Sequence, residues 1–258
     1  MAASRSLFGY CAHRPAFISD GRFLAGRLDT ICGGSKACGE IMEKTGRATG
    51  CDRIRLSGKL AGKRSTMNVL IIHASPRRKG VTSTLLDELQ AALDPAHQVE
   101  SVHLHDLSIK PCLGCVKCRP DQPCVLPADD SQVLAEKIRG ADILVVGCPN
   151  YWGNMPGTLK VFFDRNVPLF EYCEARAIRY IPKPQLRGKR AVLVISSGSP
   201  FPYNLLRSQS RGTIAALKTV LKGAGVKIES VLNVADSYNF DKKRERYLKK
   251  ARRIAARM

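Results

Sequence analysis

The sequence has no apolar run approaching the roughly eighteen residues that cross a bilayer, so no transmembrane helix is expected. It also lacks G-x-G-x-x-G and the G-K-[ST] of a Walker A loop, which disfavours a dinucleotide-binding motif and a P-loop NTPase. No internal repeat is visible, and the start carries no apolar signal-peptide core. Acidic residues are scarce, 22 against 42 Lys and Arg, for a net charge of +20. There is a single tryptophan, so its position carries information.

Cysteine is not scarce. Ten cysteines in 258 residues would suit a disulfide framework in a small secreted domain, but this chain is long and gathers four of them between residues 112 and 124. Reduced thiols and a cytoplasmic setting are the expectation. The charge is uneven: residues 1–66 carry +7, residues 241–258 carry +7 again, and the middle is ordinary. Basic ends favour acidic partners, anionic cofactors or nucleic acid and say nothing about fold.

Residues 1–66 contain repeated glycines, no sustained periodicity, and Cys11, Cys32, Cys38 and Cys51 without metal-ligand spacing. They read as an extension outside the fold, disordered or arising from an upstream start. A targeting segment or a small accessory structure are the alternatives. From residue 67 to 258 the pattern changes abruptly to short apolar runs alternating with helical stretches, the mark of an α/β protein with a parallel sheet.

Five strands are expected, over 68–74, 98–104, 142–148, 190–196 and 226–234. The first, third and fourth are apolar enough to be buried on both faces and therefore central. The helix after the first strand has Leu85, Leu86, Leu89, Ala92 and Leu93 as its buried stripe, with Thr82 or Ser83 as N-cap. Asp129 and Asp130 open a second helix that turns Val133, Leu134 and Ile138 inward and stops at Gly140. Further helices are expected over 158–165 and 208–222. A last one from Asp241 buries Tyr247, Leu248, Ala251, Ile254 and Ala255 and leaves nine Lys and Arg for its other face or neighbouring turn.

Five parallel strands with right-handed crossovers give a doubly wound five-stranded sheet, order 2-1-3-4-5, with helices on both faces. A ligand then sits beyond the C-terminal ends of the first and third strands, where the order reverses. After the first strand, Ser75, Arg77, Gly80, Val81, Thr82, Ser83 and Thr84 supply hydroxyls, amides and a cation at a helix start, an anion cradle. An ordinary capped helix with a solvated basic run is the plainer alternative. After the third strand, the loop Pro149, Asn150, Tyr151, Trp152, Gly153, Asn154 and Met155 is aromatic and backbone-rich, as a planar ring system requires, although a simple surface turn has the same composition. Ser196 to Pro200, after the fourth strand, is small enough for backbone to approach a ligand there.

These segments, with Leu159 to Arg165 following them, resemble the NADPH-dependent FMN reductase and iron-sulfur flavoprotein families, which are flavodoxin-like. The resemblance implies that Ser75, Arg77, Val81, Thr82 and Ser83 bind the FMN phosphate. It implies that Pro149, Asn150, Tyr151, Trp152, Gly153, Asn154 and Met155, with Ser197 and Gly198, surround the ring. It further implies a homodimer or homotetramer with flavins near subunit boundaries.

Cys112, Cys115, Cys118 and Cys124 form a C-x2-C-x2-C-x5-C run. Four thiolates this close suit a metal, either iron-sulfur or zinc, and the alternative is unmetallated thiols. The spacing resembles the [4Fe-4S] motif of the iron-sulfur flavoproteins.

Three functions stand. One is an FMN oxidoreductase passing electrons between a [4Fe-4S] cluster and flavin. A second is an NAD(P)H-driven reductase of a quinone or flavin in which the cysteines are spectators. A third is a non-enzymatic, zinc-stabilised or redox-responsive binding module. In the enzyme readings the chemistry is the flavin's, and no catalytic side chain is named. The basic C-terminal helix reads as a solvated face, with the steering of an acidic, ferredoxin-like redox partner as the alternative; nucleic acid and a membrane are not expected. His103 and His105 would share a face of the second strand, which allows a metal or proton relay, with packing histidines as the plainer reading. Asp164-Arg165 reads as a helix-end ion pair, and Cys148 and Cys173 as buried or incidental thiols.

Overall fold

The computed structural model describes residues 66–118, 122, 124–170, 173–176 and 179–258, with backbone alone for 173–176 and 179–182. The extension expected over residues 1–66, with Cys11, Cys32, Cys38 and Cys51, lies outside the described residues but for its last.

The core is a five-stranded parallel sheet. Its strands are β1 (Asn68–His73), β2 (Gln98–His103), β3 (Ile143–Pro149), β6 (Arg190–Ser196) and β7 (Lys227–Val234), hydrogen-bonded in the order β2-β1-β3-β6-β7. Between β3 and β6 the chain also makes a small antiparallel ribbon, β4 (Cys173–Arg176) with β5 (Arg179–Pro182). Counting the strands of the large sheet alone, the order is the expected 2-1-3-4-5. The register runs from Asn68 opposite Gln98 to His73 opposite His103, and from Val69 opposite Ile143 to His73 opposite Gly147. The strand C-termini therefore finish together at one edge.

β1, β3 and β6 are buried almost throughout, while β2 and β7, only partly buried, form the edges. Alternation of side chains across the pleat then divides the core in two. Val69, Ile71, Ile143, Val145, Val192 and Val194 face helices α1 (Val81–Ala91) and α6 (Arg244–Ala255). Leu70, Ile72, Leu144, Val146, Leu193 and Ile195 face α2 (Asp130–Gly140), α3 (Gly157–Arg165), the single turn α4 (Val167–Phe170) and α5 (Ser210–Gly223). Each fully buried Leu or Phe in these layers stabilises the fold by about 1.5 to 3 kcal/mol through removal of apolar surface from water. α1 lies so close to the sheet that a Cβ at Gly147 would fall 2.4 Å from Leu86 Cδ1. Only glycine admits that approach, which seats the middle of α1 directly on β3.

Several local expectations are corrected. The N-cap of α1 is Gly80, and Thr82 and Ser83 sit inside its first turn with their hydroxyls bonded elsewhere. Val133 is 56% exposed, because the buried positions of α2 are Ser131, Leu134, Ala135 and Ile138, and Val133 falls about 100° away from Leu134 on the helix. The C-terminal helix begins at Arg244, after a 3-10 turn over Ser237–Lys243, and still buries Tyr247, Leu248, Ala251 and Ala255. His103 ends β2 and His105 lies in a 3-10 turn, so they share no strand face. His103 instead stacks on His73 with ring centroids 4.1 Å apart, a packing arrangement. Asp164 pairs with Lys160, not with Arg165. Cys148 is fully buried, and its thiol is pushed up by that burial. Cys173 lies on β4, its side chain outside the description. Among the described residues no helix is long and apolar enough to cross a membrane.

Candidate flavin-binding crevice and cysteine loop

A crevice of about 250 Å³ opens at the C-terminal edge of the sheet, between the loop after β1 and the loop after β3. Ser75, Arg77, Gly80, Val81 and Thr82 form one wall, and Pro149, Asn150 and Tyr151 the other. Ser196, Gly198, Ser237 and Tyr238 complete it. Of the positions singled out in the sequence, the fold thus brings Ser75, Arg77, Gly80, Val81, Thr82, Pro149, Asn150, Tyr151, Ser196 and Gly198 to one place. Ser237 and Tyr238 were not singled out. The signal for the last two lay in the topology, since every loop leaving the C-terminal edge in this fold borders the same crevice.

The first wall is built to receive negative charge. No side-chain hydrogen bond caps α1, and its first turn has no acidic residue. The orphan amides of that turn and the positive end of the helix dipole therefore face outward with Arg77 beside them. The loop is rigid where it matters. Arg77 N donates to Ser75 Oγ at 3.2 Å, Gly80 N to Arg77 O at 3.1 Å and Ser83 Oγ to Arg77 O at 2.9 Å. Ser83 is buried and braces the loop from behind instead of lining the crevice. Thr82 Oγ1 lies 2.8 Å from Ser196 Oγ, which ties α1 to the end of β6.

The second wall is a two-residue hairpin. Tyr151 and Asn154 exchange both backbone hydrogen bonds, at 3.0 and 2.9 Å, across Trp152 and Gly153. Both central residues have positive φ, 53° and 73°, the geometry of a type I′ turn. At Gly153 a side chain is excluded twice over, since a Cβ would also meet the Ser208 backbone at 2.8 Å. Trp152 is strained by its left-handed backbone, and its ring is fully exposed. The hairpin is held from below. Asn150 N donates to Ser196 O at 2.7 Å, and Asn150 Nδ2 to Gln209 Oε1 at 3.2 Å. Thr213 Oγ1 lies 2.7 Å from Asn150 Oδ1 and 3.0 Å from Asn154 O. Met155 points into the core, and Ser197 is buried with its amide on Val234 O at 2.9 Å. These two shape the crevice without lining it.

Phe201, Tyr203, Leu205 and Leu206 are exposed, like Trp152.

The cysteine loop lies between β2 and α2. Cys112 and Cys115 are exposed, Cys118 and Cys124 half-buried, and all four are free. Gly114 N donates to Cys112 Sγ at 3.4 Å. Burial raises the Cys118 thiol, and the nearby Cys124, Cys112 and Cys115 raise it further. Among the described residues no three His, Cys, Asp or Glu side chains converge on a metal position. The all-thiol donor set fits an iron-sulfur cluster or zinc in chemistry.

Behind the loop, the Arg165 side chain is fully buried. It donates to Cys124 Sγ and, at 3.1 Å, to Asp129 Oδ2. Asp129 also caps α2, accepting from Ser131 N at 2.9 Å and Lys110 N at 3.1 Å, while Gln132 Oε1 accepts from Asp129 N. Burial alone would raise the Asp129 carboxyl, but these hydrogen bonds outweigh it and hold it at about 2.

Residues 67–245 match the sequence profile of the family described as NADPH-dependent FMN reductase. Among curated proteins the chain is 35% identical over 104 residues to an iron-sulfur flavoprotein of Methanocaldococcus jannaschii, covering 40% of this chain and 53% of the relative. It is 27% identical over 178 residues to an FMN-dependent NADH:quinone oxidoreductase of Gluconacetobacter diazotrophicus, covering 64% of this chain and 86% of that one. The chain spans about half the length of the iron-sulfur flavoproteins it matches. Among solved structures, the NAD(P)H:quinone oxidoreductase of Methanothermobacter marburgensis superposes with a TM-score of 0.57 at 23% identity, covering 74% of this chain and 96% of that one. This last likeness is one of fold.

Proposed function

The chain belongs to the NADPH-dependent FMN reductase family, and from that membership we propose that it is an FMN-dependent NAD(P)H oxidoreductase whose acceptor is a quinone or a flavin. One observation carries the reading. The uncapped start of α1, with Arg77, faces a rigid aromatic hairpin across a crevice at the topological switch point. When bound, FMN would supply hydride and electron transfer between a reduced nicotinamide and the acceptor. The first-turn amides of α1, Ser75, Thr82 and Arg77 hold its phosphate. The Trp152 and Gly153 amides at the hairpin tip, which make no hydrogen bond among the described residues, would meet the polar edge of the ring, while Tyr151 and Trp152 would cover its apolar part. No side chain is asked to act as acid or base.

The exposed apolar residues Trp152, Phe201, Tyr203, Leu205 and Leu206 suit a second copy of the chain, giving a homo-oligomer. The basic outer face of α6 suits an acidic redox protein. Free thiols at five described positions suit the cytoplasm.

A second reading adds a cluster. Cys112, Cys115, Cys118 and Cys124 would hold [4Fe-4S], which would pass single electrons; four free cysteines on one loop support this reading, as does the likeness to iron-sulfur flavoproteins. The test is flavin, iron and sulfide analysis of the full chain purified without oxygen. Flavin with about four irons per chain supports the cluster, and flavin without iron leaves the reductase. A chain that takes up no FMN on reconstitution contradicts both. Cys118→Ser should remove iron and spare flavin, and unchanged iron would exclude Cys118 as a ligand.

A further inference from the structure

The cysteine loop is fastened at both of its ends to one place. Lys110 N, two residues before Cys112, donates to Asp129 Oδ2 at 3.1 Å. Arg165 donates to the same carboxylate oxygen at 3.1 Å and, through its other terminal nitrogen, to Cys124 Sγ. The four-cysteine run is therefore closed by a buried pair, Asp129 from the start of α2 and Arg165 from the end of α3. The Arg165 side chain is 0% exposed, and its Nε is buried with no hydrogen-bond partner among the described residues. A guanidinium desolvated this completely, with one donor unmet, contributes little stability over an apolar side chain of its size. Asp129 has other donors in the amides of Ser131 and Lys110. What Arg165 alone supplies is the contact with Cys124. Cys112 and Cys115 are exposed, whereas Cys124 is half-buried with this cation donating to its sulfur.

We propose that Arg165 is a positioning residue for a [4Fe-4S] cluster on this loop: it anchors Cys124 as a ligand and, through its N–H···S bond, raises the cluster's reduction potential. The inference rests on the cluster reading given above. Reduction adds one electron to the cluster, with no bond formed or broken, and so increases the negative charge on the sulfurs. A donor already aimed at one sulfur stabilises the reduced form more than the oxidised one. The guanidinium charge is balanced by Asp129, so the hydrogen bond is the operative element.

The experiment uses the full chain purified without oxygen, with flavin and iron contents measured and the cluster titrated with dithionite, which supplies the electron, under EPR detection. Wild type is compared with Asp129→Asn/Arg165→Met, which removes both charges together and leaves the local net charge as it was. The double variant should keep its flavin. At the wild-type midpoint its ratio of reduced to oxidised cluster should be about tenfold lower, a shift of about 59 mV for one electron. A merely structural role would leave the midpoint in place, and a ratio within about twofold of wild type overturns the proposal. Arg165→Lys covers the case in which the double variant fails to fold or to hold iron. Its shorter side chain keeps the charge on Asp129 and gives up Cys124, so the same lowering is expected, and an unchanged midpoint there overturns the proposal too. A wild-type chain that carries flavin and no iron overturns the cluster reading, and this inference with it.

Discussion

Helices α1 and α2 both start at the C-terminal edge of the same sheet, and they start in opposite ways. α2 is closed by its own residues: Asp129 and Gln132 form a reciprocal capping box, and Arg165 and Lys110 complete the hydrogen bonds of the carboxylate. α1 has Gly80 at the corresponding place, no capping side chain, and arginine where α2 has aspartate nearby. The same dipole and the same orphan amides are spent internally in one helix and left for a ligand in the other. A helix start at this edge is therefore informative when it is left open.

The closed start of α2 depends most on Asp129. Asp129→Ala should destabilise the fold by about 3 to 5 kcal/mol in urea denaturation, because it removes the cap and strands a buried guanidinium. Adding Arg165→Met should recover part of that loss, and no recovery would mean that the cap alone matters. The pH dependence has a definite sign. The Asp129 carboxyl is depressed in the folded state, so its contribution is present above its unfolded value of about 4 and is lost as pH falls through about 2. The acid transition of the wild type should thus be steeper between these values than that of Asp129→Asn.

The open helix should respond in binding instead of stability. Arg77→Ala should weaken FMN by about 1 to 3 kcal/mol with little change in the urea midpoint, and an unchanged FMN dissociation constant would remove Arg77 from the phosphate. A smaller effect sharpens the contrast between a site held ready and a segment at rest. Trp152→Gly relieves a left-handed backbone and should stabilise the flavin-free protein by about 1 kcal/mol while reducing flavin retention. Loss of stability in that variant would show that the hairpin is not strained by its tryptophan.

Sheet order and the three central strands were legible because Val, Ile and Leu runs mark strands buried on both faces, and right-handed crossovers leave few topologies. The anion loop and hairpin were legible from hydroxyls, glycines and aromatics placed directly after strands. Other features depend on distance in space and leave little local trace. The N-cap of α1 fell to Gly80 because Thr82 and Ser83 hydroxyls are drawn to Ser196 and the Arg77 carbonyl. Arg165 reads as a helix-end charge until the fold brings Asp129 and Cys124 to it from 36 and 41 residues away. Tyr238 reaches the crevice only through a turn in which Asp236 adopts positive φ.

If the open start of α1 holds the phosphate of a flavin, titrating the flavin-free full chain with FMN and with riboflavin will show it. The two ligands share the ring and differ in the phosphate. FMN should bind about a hundredfold or more tightly, reflecting several charge-assisted hydrogen bonds from the amides and Arg77. Equal affinity for the two would contradict the account.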